Sequence, residues 1–268
     1  MKISVITCTY NSARYLAATI ESVRRQTYGD LEHIFIDGGS TDGTLEIIKK
    51  YYPAPVLFIG QDQGLYDALN KGLERATGEV VGFLHSDDCF ADDRCLERIA
   101  EAFAHHDIDY YSARLAVYYE KLEKPFAVLG AAPHKFSWRD ALYSSNYFAH
   151  PTVYVKKTLL PKIGNFNLSY KIAADIDWLW RLEAITDKCF FDKQVLVKMR
   201  HVGKSSRHYF QALAEEYQIA KKHFGLTPLV LFTYSYHWAR RLVRFILEKI
   251  GLFKVVAYSR RLLIKLDR

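Results

Sequence analysis

His33-Ile34-Phe35-Ile36-Asp37-Gly38-Gly39-Ser40-Thr41-Asp42-Gly43-Thr44 runs from a continuous apolar stretch into a turn of Gly, Ser and Asp and then into a helical pattern reaching about Tyr51. A short apolar run bounded by turn residues fits a strand buried on both faces, and strands alternating with helices build a parallel sheet covered by helices. The same alternation surrounds this segment. Ile3 to Thr7 reads as the first strand, followed by a helix that Asn11 or Ser12 would cap and that runs through Arg25. Val56 to Ile59 reads as a third strand, and Gly64 to Ala76 as a helix with Leu65, Leu69 and Leu73 along one stripe. Glu79 to Leu84 is a fourth strand ending at His85-Ser86-Asp87-Asp88, with a helix from about Asp92 to His105. The second half is less regular. Asp109 to Tyr119 and Ala149 to Val155 are strand-like runs broken by Pro125, Pro133 and Pro151; Ala174 to Ile185 reads as a helix, Val195 to Met199 as a strand, and Arg207 to Phe224 as a helix. The fold class expected is α/β, with a mostly parallel central sheet flanked by helices.

The 268 residues are 50% apolar and 25% charged, with 19 Tyr, 16 Phe and 4 Trp, which excludes a disordered chain. The four cysteines, at positions 8, 89, 95 and 189, form no CxxC pair, so neither a zinc ribbon nor a disulfide framework is indicated. That usage fits a reducing compartment, and the opening apolar run is too short for a signal peptide, so a cytoplasmic location is expected.

The net charge of +7 is unevenly placed: from Lys221 onward there are eleven Lys or Arg against two acids, which leaves residues 1–220 at about −2. A nucleic-acid groove needs basic side chains across its binding face, so no nucleic-acid partner is expected. The organisation expected is a catalytic domain over 1–224 and a basic amphipathic helical extension over 225–268. In that extension an apolar stripe (Leu229, Phe232, Tyr236, Val243, Ile246, Ile250) faces a basic side (Arg240, Arg241, Arg244, Lys249). Arg240 and Arg241 interrupt it too early for a membrane span, whereas helices of this kind lie in the headgroup layer of an anionic leaflet or pack on a protein surface. Peripheral membrane contact through 227–268 is the expectation.

Ligands of open α/β sheets sit at the carboxyl ends of the strands, and acids collect there: Asp37 closes strand two, Asp62 follows strand three, and Asp87-Asp88 closes strand four. Clustered carboxylates need a positive or hydrogen-bond-donating neighbour, and carboxylate oxygens select Mn2+ or Mg2+, ions that keep positions open for phosphate. A helix cap is the plainer alternative for Asp88. The glycines form neither GxGxxG nor a GxxxxGK[ST] loop, which removes the dinucleotide-binding and P-loop classes.

Ile3-Ser4-Val5-Ile6-Thr7-Cys8-Thr9-Tyr10-Asn11, Asp37 to Thr44, Asp62-Gln63-Gly64-Leu65-Tyr66-Asp67-Ala68-Leu69-Asn70-Lys71-Gly72 and Leu84-His85-Ser86-Asp87-Asp88 resemble, in order, the motifs of the family-two glycosyltransferases with the GT-A fold. The resemblance covers about residues 1–205. It implies that Thr9 and Tyr10 hold the donor's base and ribose, that Asp37 hydrogen-bonds the base, and that Asp62 lines the nucleotide pocket. It implies that Asp87, with Asp88 beside it, binds the Mn2+ or Mg2+ that bridges the donor's two phosphates. Ala174-Asp175-Ile176-Asp177-Trp178 is similar to the family's acidic segment near the acceptor, with Asp175 aligned to the general base. Two positions depart from the pattern: His85 stands where the family usually has Asp or Asn, and Ala174 where Glu is frequent.

The resemblance implies an inverting hexosyltransferase of bacterial-type surface polysaccharide assembly. It would use a nucleotide-sugar donor, UDP favoured, and a saccharide or lipid-linked saccharide acceptor at the inner face of the cell membrane. A nucleotidyltransferase would carry a glycine-rich basic loop after strand one, and Thr7 to Ala13 has none. A donor-binding or scaffold protein of the same fold is the alternative. His150 reads as a turn or packing residue or an acceptor contact, His201 as a possible diphosphate or metal contact, and Trp138, Trp178 and Trp180 as core or sugar-stacking rings.

Overall fold

The computed structural model describes residues 1–130, 150–200 and 209–249. They fall into two compact units, 1–130 with 150–200 and, separately, 209–249. The first unit is built in the order β1 (Ile3–Thr9), α1 (Ala13–Arg24), β2 (Leu31–Asp37), α2 (Thr44–Tyr51), β3 (Val56–Ile59), α3 (Leu65–Arg75), β4 (Val80–Phe83), β5 (Cys89–Phe90), α4 (Cys95–His105), β6 (Tyr110–Tyr118), β7 (Ala127–Leu129), β8 (Tyr154–Lys156), α5 (Leu160–Ile163), α6 (Ala174–Ile185) and β9 (Cys189–Arg200).

One sheet runs β3-β2-β1-β4-β8-β6-β9-β5, with β7 added on β6. Its first four strands are parallel, as the βαβ alternation requires; β8 is antiparallel to both β4 and β6, and β9 runs parallel to β6. β1 is buried along its whole length, which is why its sequence reads as a near-continuous apolar run. Helix α3 lies so close to the sheet that a Cβ on Gly72 would come within 2.5 Å of the Ile6 side chain.

Several local expectations shift. α1 begins at Ala13, and neither Asn11 nor Ser12 caps it; the Ala13 N–H is taken instead by Asp42 Oδ2 at 3.0 Å, from the loop after β2. α4 begins at Cys95 rather than near Asp92, so Asp88 is not its cap. Leu65 is exposed, and the buried face of α3 is Tyr66, Leu69, Asn70 and Leu73. β9 is far longer than the Val195 to Met199 run, because only two of its twelve side chains are buried, and the partly covered and exposed ones dilute the apolar signal.

The second unit holds α7 (Tyr209–Phe224) and α8 (Pro228–Lys249). The helix ending at Phe224 thus groups with α8. Rings of Phe210 and Trp238 stack at 5.2 Å, and Arg241 pairs with Glu216 at 3.4 Å.

Candidate active site

The parallel register places Thr9 opposite Asp37, and Asp37 opposite Ile59, at the carboxyl ends of β1, β2 and β3. Asp37 is fully buried and its carboxylate takes four donors: Thr9 Oγ1 at 2.6 Å, Ser40 Oγ at 2.7 Å, and the backbone N–H groups of Gly39 and Ser40 at 3.0 and 2.8 Å. It therefore locks the two loops together. The loops are tied again by Asn11 N–H to Ser40 Oγ and Thr41 N–H to Asn11 Oδ1, both 2.9 Å, with Asn11 in the left-handed region that asparagine tolerates. Beside them Tyr10 is 63% exposed. A Cβ on Gly38 would lie 3.2 Å from both the Tyr10 ring and Asp62 Oδ2, so Gly38 is the floor between these two groups. Asp62 is paired with Lys71, which also reaches Asp67 at 3.0 Å. Asp62 and Lys71 border a small pocket with Ile36, Phe58, Ile59, Gly60 and Arg75, the last with its guanidinium 4.5 Å from the centre of the Phe58 ring.

At the end of β4, Asp88 is wholly buried and Asp87 partly so. Asp88 Oδ1 accepts the backbone N–H of Arg200 at 3.2 Å, and Oδ2 is buried with no hydrogen-bond partner among the described residues. The Arg200 guanidinium bonds the Asp87 carbonyl and lies 4.7 Å from the centre of the Tyr15 ring. Burial pushes the Asp87 carboxyl above its ordinary range, and burial together with the neighbouring Asp87 charge pushes Asp88 well above it. An orphaned oxygen in a pair of carboxylates that resist ionisation is a donor set suited to a hard divalent cation. Among the described residues no three His, Cys, Asp or Glu side chains gather as a metal cage.

Asp175 lies in the first turn of α6 with its side chain 22% exposed. His150 Nδ1 is 2.8 Å from its Oδ2, and the Tyr66 hydroxyl donates to its Oδ1 at 3.0 Å. Burial works to raise this carboxyl, yet the bonds from His150 and Tyr66 outweigh it and leave the pKa below the ordinary aspartate value. An ionised, oriented and partly open carboxylate is equipped to accept a proton. His150 in turn meets His85, Nε2 to Nε2, at 2.6 Å. Asp177 is fully buried and held by Arg181 at 3.0 Å, a structural ion pair.

The family model for glycosyl transferase family 2 matches residues 4–163. The "PGL/p-HBAD biosynthesis glycosyltransferase" of Mycobacterium bovis is 30% identical over 220 residues, which cover 79% of this chain and 78% of the relative. The chain belongs to glycosyltransferase family 2. Solved structures show that this glycosyltransferase has the GT-A fold. The 1–349 fragment of S. aureus TarS in complex with UDP-GlcNAc superposes with a TM-score of 0.67 at 22% identity, over 83% of this chain and 65% of the fragment. The mannosyltransferase PcManGT of Pyrobaculum calidifontis, in complex with GDP-Man and Mn2+, gives 0.62 at 18% identity, over 98% of this chain and 83% of its own.

In this family 2 glycosyltransferase the residues singled out from sequence gather in groups. Thr9, Tyr10, Asp37 and Asp62 share one loop cluster, Asp87 and Asp88 close β4, and Asp175 is tied through His150 to His85 in that same β4 loop. Sequence reasoning missed Lys71, Tyr66 and Arg200, whose partners lie 9, 109 and 112 residues away. It left His150 open between packing and acceptor contact. Trp178 is a core ring, 1% exposed and stacked on Phe166 at 5.2 Å. His201 and Trp138 lie outside the described residues.

Proposed function

We propose that this glycosyltransferase moves a hexose from a nucleotide-sugar, UDP favoured, to a saccharide or lipid-linked saccharide acceptor by a single inverting displacement, with Asp175 as general base. The observation that carries this reading is the ionised Asp175 carboxylate, oriented on both oxygens and still open. The acceptor oxygen attacks the anomeric carbon from the face opposite the nucleotide, the bond from that carbon to the phosphate oxygen breaks, the nucleoside diphosphate departs with the electron pair, and Asp175 takes the acceptor's proton. Thr9, Tyr10 and the pocket beside Asp62 bind the nucleotide, on loops that Asp37 fixes. Complexes of structural neighbours with UDP-GlcNAc and with GDP-Man and Mn2+ support a nucleotide-sugar donor and a divalent cation. Asp87 and Asp88 would hold Mn2+ or Mg2+, which as a Lewis acid offsets charge developing on the leaving diphosphate.

The extension over 225–268 would bring the enzyme to the cytoplasmic face of a membrane, where a lipid-linked acceptor resides. No helix among the described residues is long and apolar enough to cross a membrane. On α8, Leu229, Phe232, Tyr236, Val243 and Ile246 are exposed, along with Arg240, and these are the groups an anionic surface would engage.

Asp175→Asn tests the assignment. Turnover should fall by about 10²- to 10⁴-fold, the usual worth of a general base, while calorimetric binding of the nucleotide-sugar stays close to that of the parent. Turnover near the parental level would reject it.

A further inference from the structure

Three side chains from distant parts of the chain form a continuous hydrogen-bonded line: His85 after β4, His150 in the short 3-10 turn His150–Thr152, and Asp175 on α6. The imidazole rings of His85 and His150 meet edge to face, 74° between planes and 4.8 Å between centroids. The proposed function gives Asp175 its task and leaves both histidines without one.

The chemistry of the atoms orders the line. An ionised carboxylate only accepts, so His150 carries its proton on Nδ1 and donates it to Asp175 Oδ2. In a neutral ring the other nitrogen is then an acceptor, and the Nε2 it faces at 2.6 Å must bear hydrogen, which makes His85 the donor. The single hydrogen of the Tyr66 hydroxyl is shared between Asp175 Oδ1 at 3.0 Å and the Ile172 carbonyl at 2.6 Å. His150, Tyr66 and the backbone N–H of Ile176 together set the rotation of the Asp175 carboxylate and leave lone pairs for an acceptor hydroxyl. His150 suits this task because Pro151 and Thr152, both buried, hold its turn in place.

We propose that His150 is a positioning residue for Asp175, and that His85 acts on the base rather than on the cation, its N–H holding His150 in the tautomer that donates to Asp175. The proposal rests on the reading of Asp175 as the general base. It gives the departure at position 85 a purpose: a carboxylate there has no hydrogen to give His150 Nε2 and would draw the imidazole proton away from the Asp175 side. A 1 Å misplacement of a reacting group costs on the order of 10²-fold in rate, which sets the scale of the expected effect.

The test compares purified full-length variants for kcat, donor KM, acceptor KM and calorimetric binding of UDP-sugar with Mn2+. His150→Asn keeps an N–H near the place of Nδ1, whereas His150→Gln carries its amide toward the place of Nε2, and both remain polar. The Asn variant should retain kcat within about threefold and the Gln variant should lose about 10²-fold, with donor KM and donor binding unchanged in both. At position 85, Gln keeps a donor toward His150 and should stay near the parent, while His85→Leu should lose kcat without a higher Mn2+ requirement. Equal kcat for His150→Asn and His150→Gln, or loss of donor binding together with kcat, would overturn the role of His150. A His85→Leu variant whose defect is cured by more Mn2+ would place His85 on the cation instead. Asp175→Asn is the control: if it turns over normally, the reading of the base has failed; if it is inactive while the histidine variants are all normal, only the positioning proposal has.

Discussion

The backbone N–H of Arg200, on the last residue of β9, holds one oxygen of the Asp88 carboxylate at 3.2 Å, and the other oxygen is buried without a partner among the described residues. Burying half a carboxylate unpaired is costly unless the group stays protonated or meets a cation. A carboxyl whose pKa is raised on folding binds its proton more tightly in the native state, so stability declines as pH climbs above the ordinary carboxylate value. In EDTA, Asp88→Asn should therefore melt above the parent at pH 8, and the gap should narrow toward pH 5. Mn2+ with nucleotide should raise the parent's Tm and leave the variant's unchanged. A parent indifferent to Mn2+ with nucleotide would remove Asp88 from the metal site.

The pattern that made β1 to β4 legible is local: each is a short apolar run, and Val56 to Ile59 and Ala174 to Ile185 fall on the observed bounds of β3 and α6. Asp37, Asp87 and Asp175 stand out because each ends a strand or begins a helix within a recognisable motif. What supports them is not local. Asp42 caps α1 from 29 residues downstream, Arg200 reaches Asp88 from 112 residues away, and the two-residue β5 exists only because β9 pairs with it. Such contacts leave no periodicity to read. His150 shows the limit well, since its ordinary neighbours in sequence say turn and its partner in space says carboxylate.

Gly38 fills the narrow space between the Tyr10 ring and the Asp62 carboxylate, with 3.2 Å from its missing Cβ to each. Alanine there forces one of the two to give by a few tenths of an ångström. Because both are proposed to contact the nucleotide, Gly38→Ala should raise donor KM by about three- to tenfold, with kcat at saturation nearly preserved. Steady-state kinetics against donor concentration reads the split directly, and an unchanged KM would separate this surface from donor binding.

His33 is buried in β2, and burial pulls its pKa down to about 3. Thr7 Oγ1 gives its hydrogen to the Leu84 carbonyl at 2.8 Å and so accepts from His33 Nε2 at 2.9 Å, while Tyr52 lies 3.0 Å from Nδ1 and donates to it. The neutral ring satisfies every contact. Since the unfolded pKa is near 6.5, the stability it contributes is whole above that value and is lost as pH falls from about 6.5 toward 3. His33→Gln should flatten the fall in unfolding free energy between pH 6.5 and 4.5 by up to about 1.4 kcal/mol per pH unit. Parallel pH profiles in urea melts would show that another group dominates acid unfolding.

Phe232 and Val243 on α8 are 62% and 56% exposed, so replacing them removes little from the packing of α8 on α7. If the extension lies in an anionic headgroup layer, each side chain transfers from water to hydrocarbon on binding, worth about 1.5–3 kcal/mol apiece. The double variant Phe232→Glu, Val243→Glu should then sediment with phosphatidylglycerol vesicles at least about 10²-fold more weakly than the parent, since losing even one such transfer exceeds a tenfold change and two compound it. Its Tm in vesicle-free buffer should match the parent's, which separates loss of membrane contact from loss of fold. High salt should weaken the parent's binding as well, because Arg240 and the exposed Lys221 and Lys222 supply the electrostatic part. Equal sedimentation of variant and parent would assign the exposed stripe to a protein surface instead, and the lipid-linked acceptor would lose its physical argument.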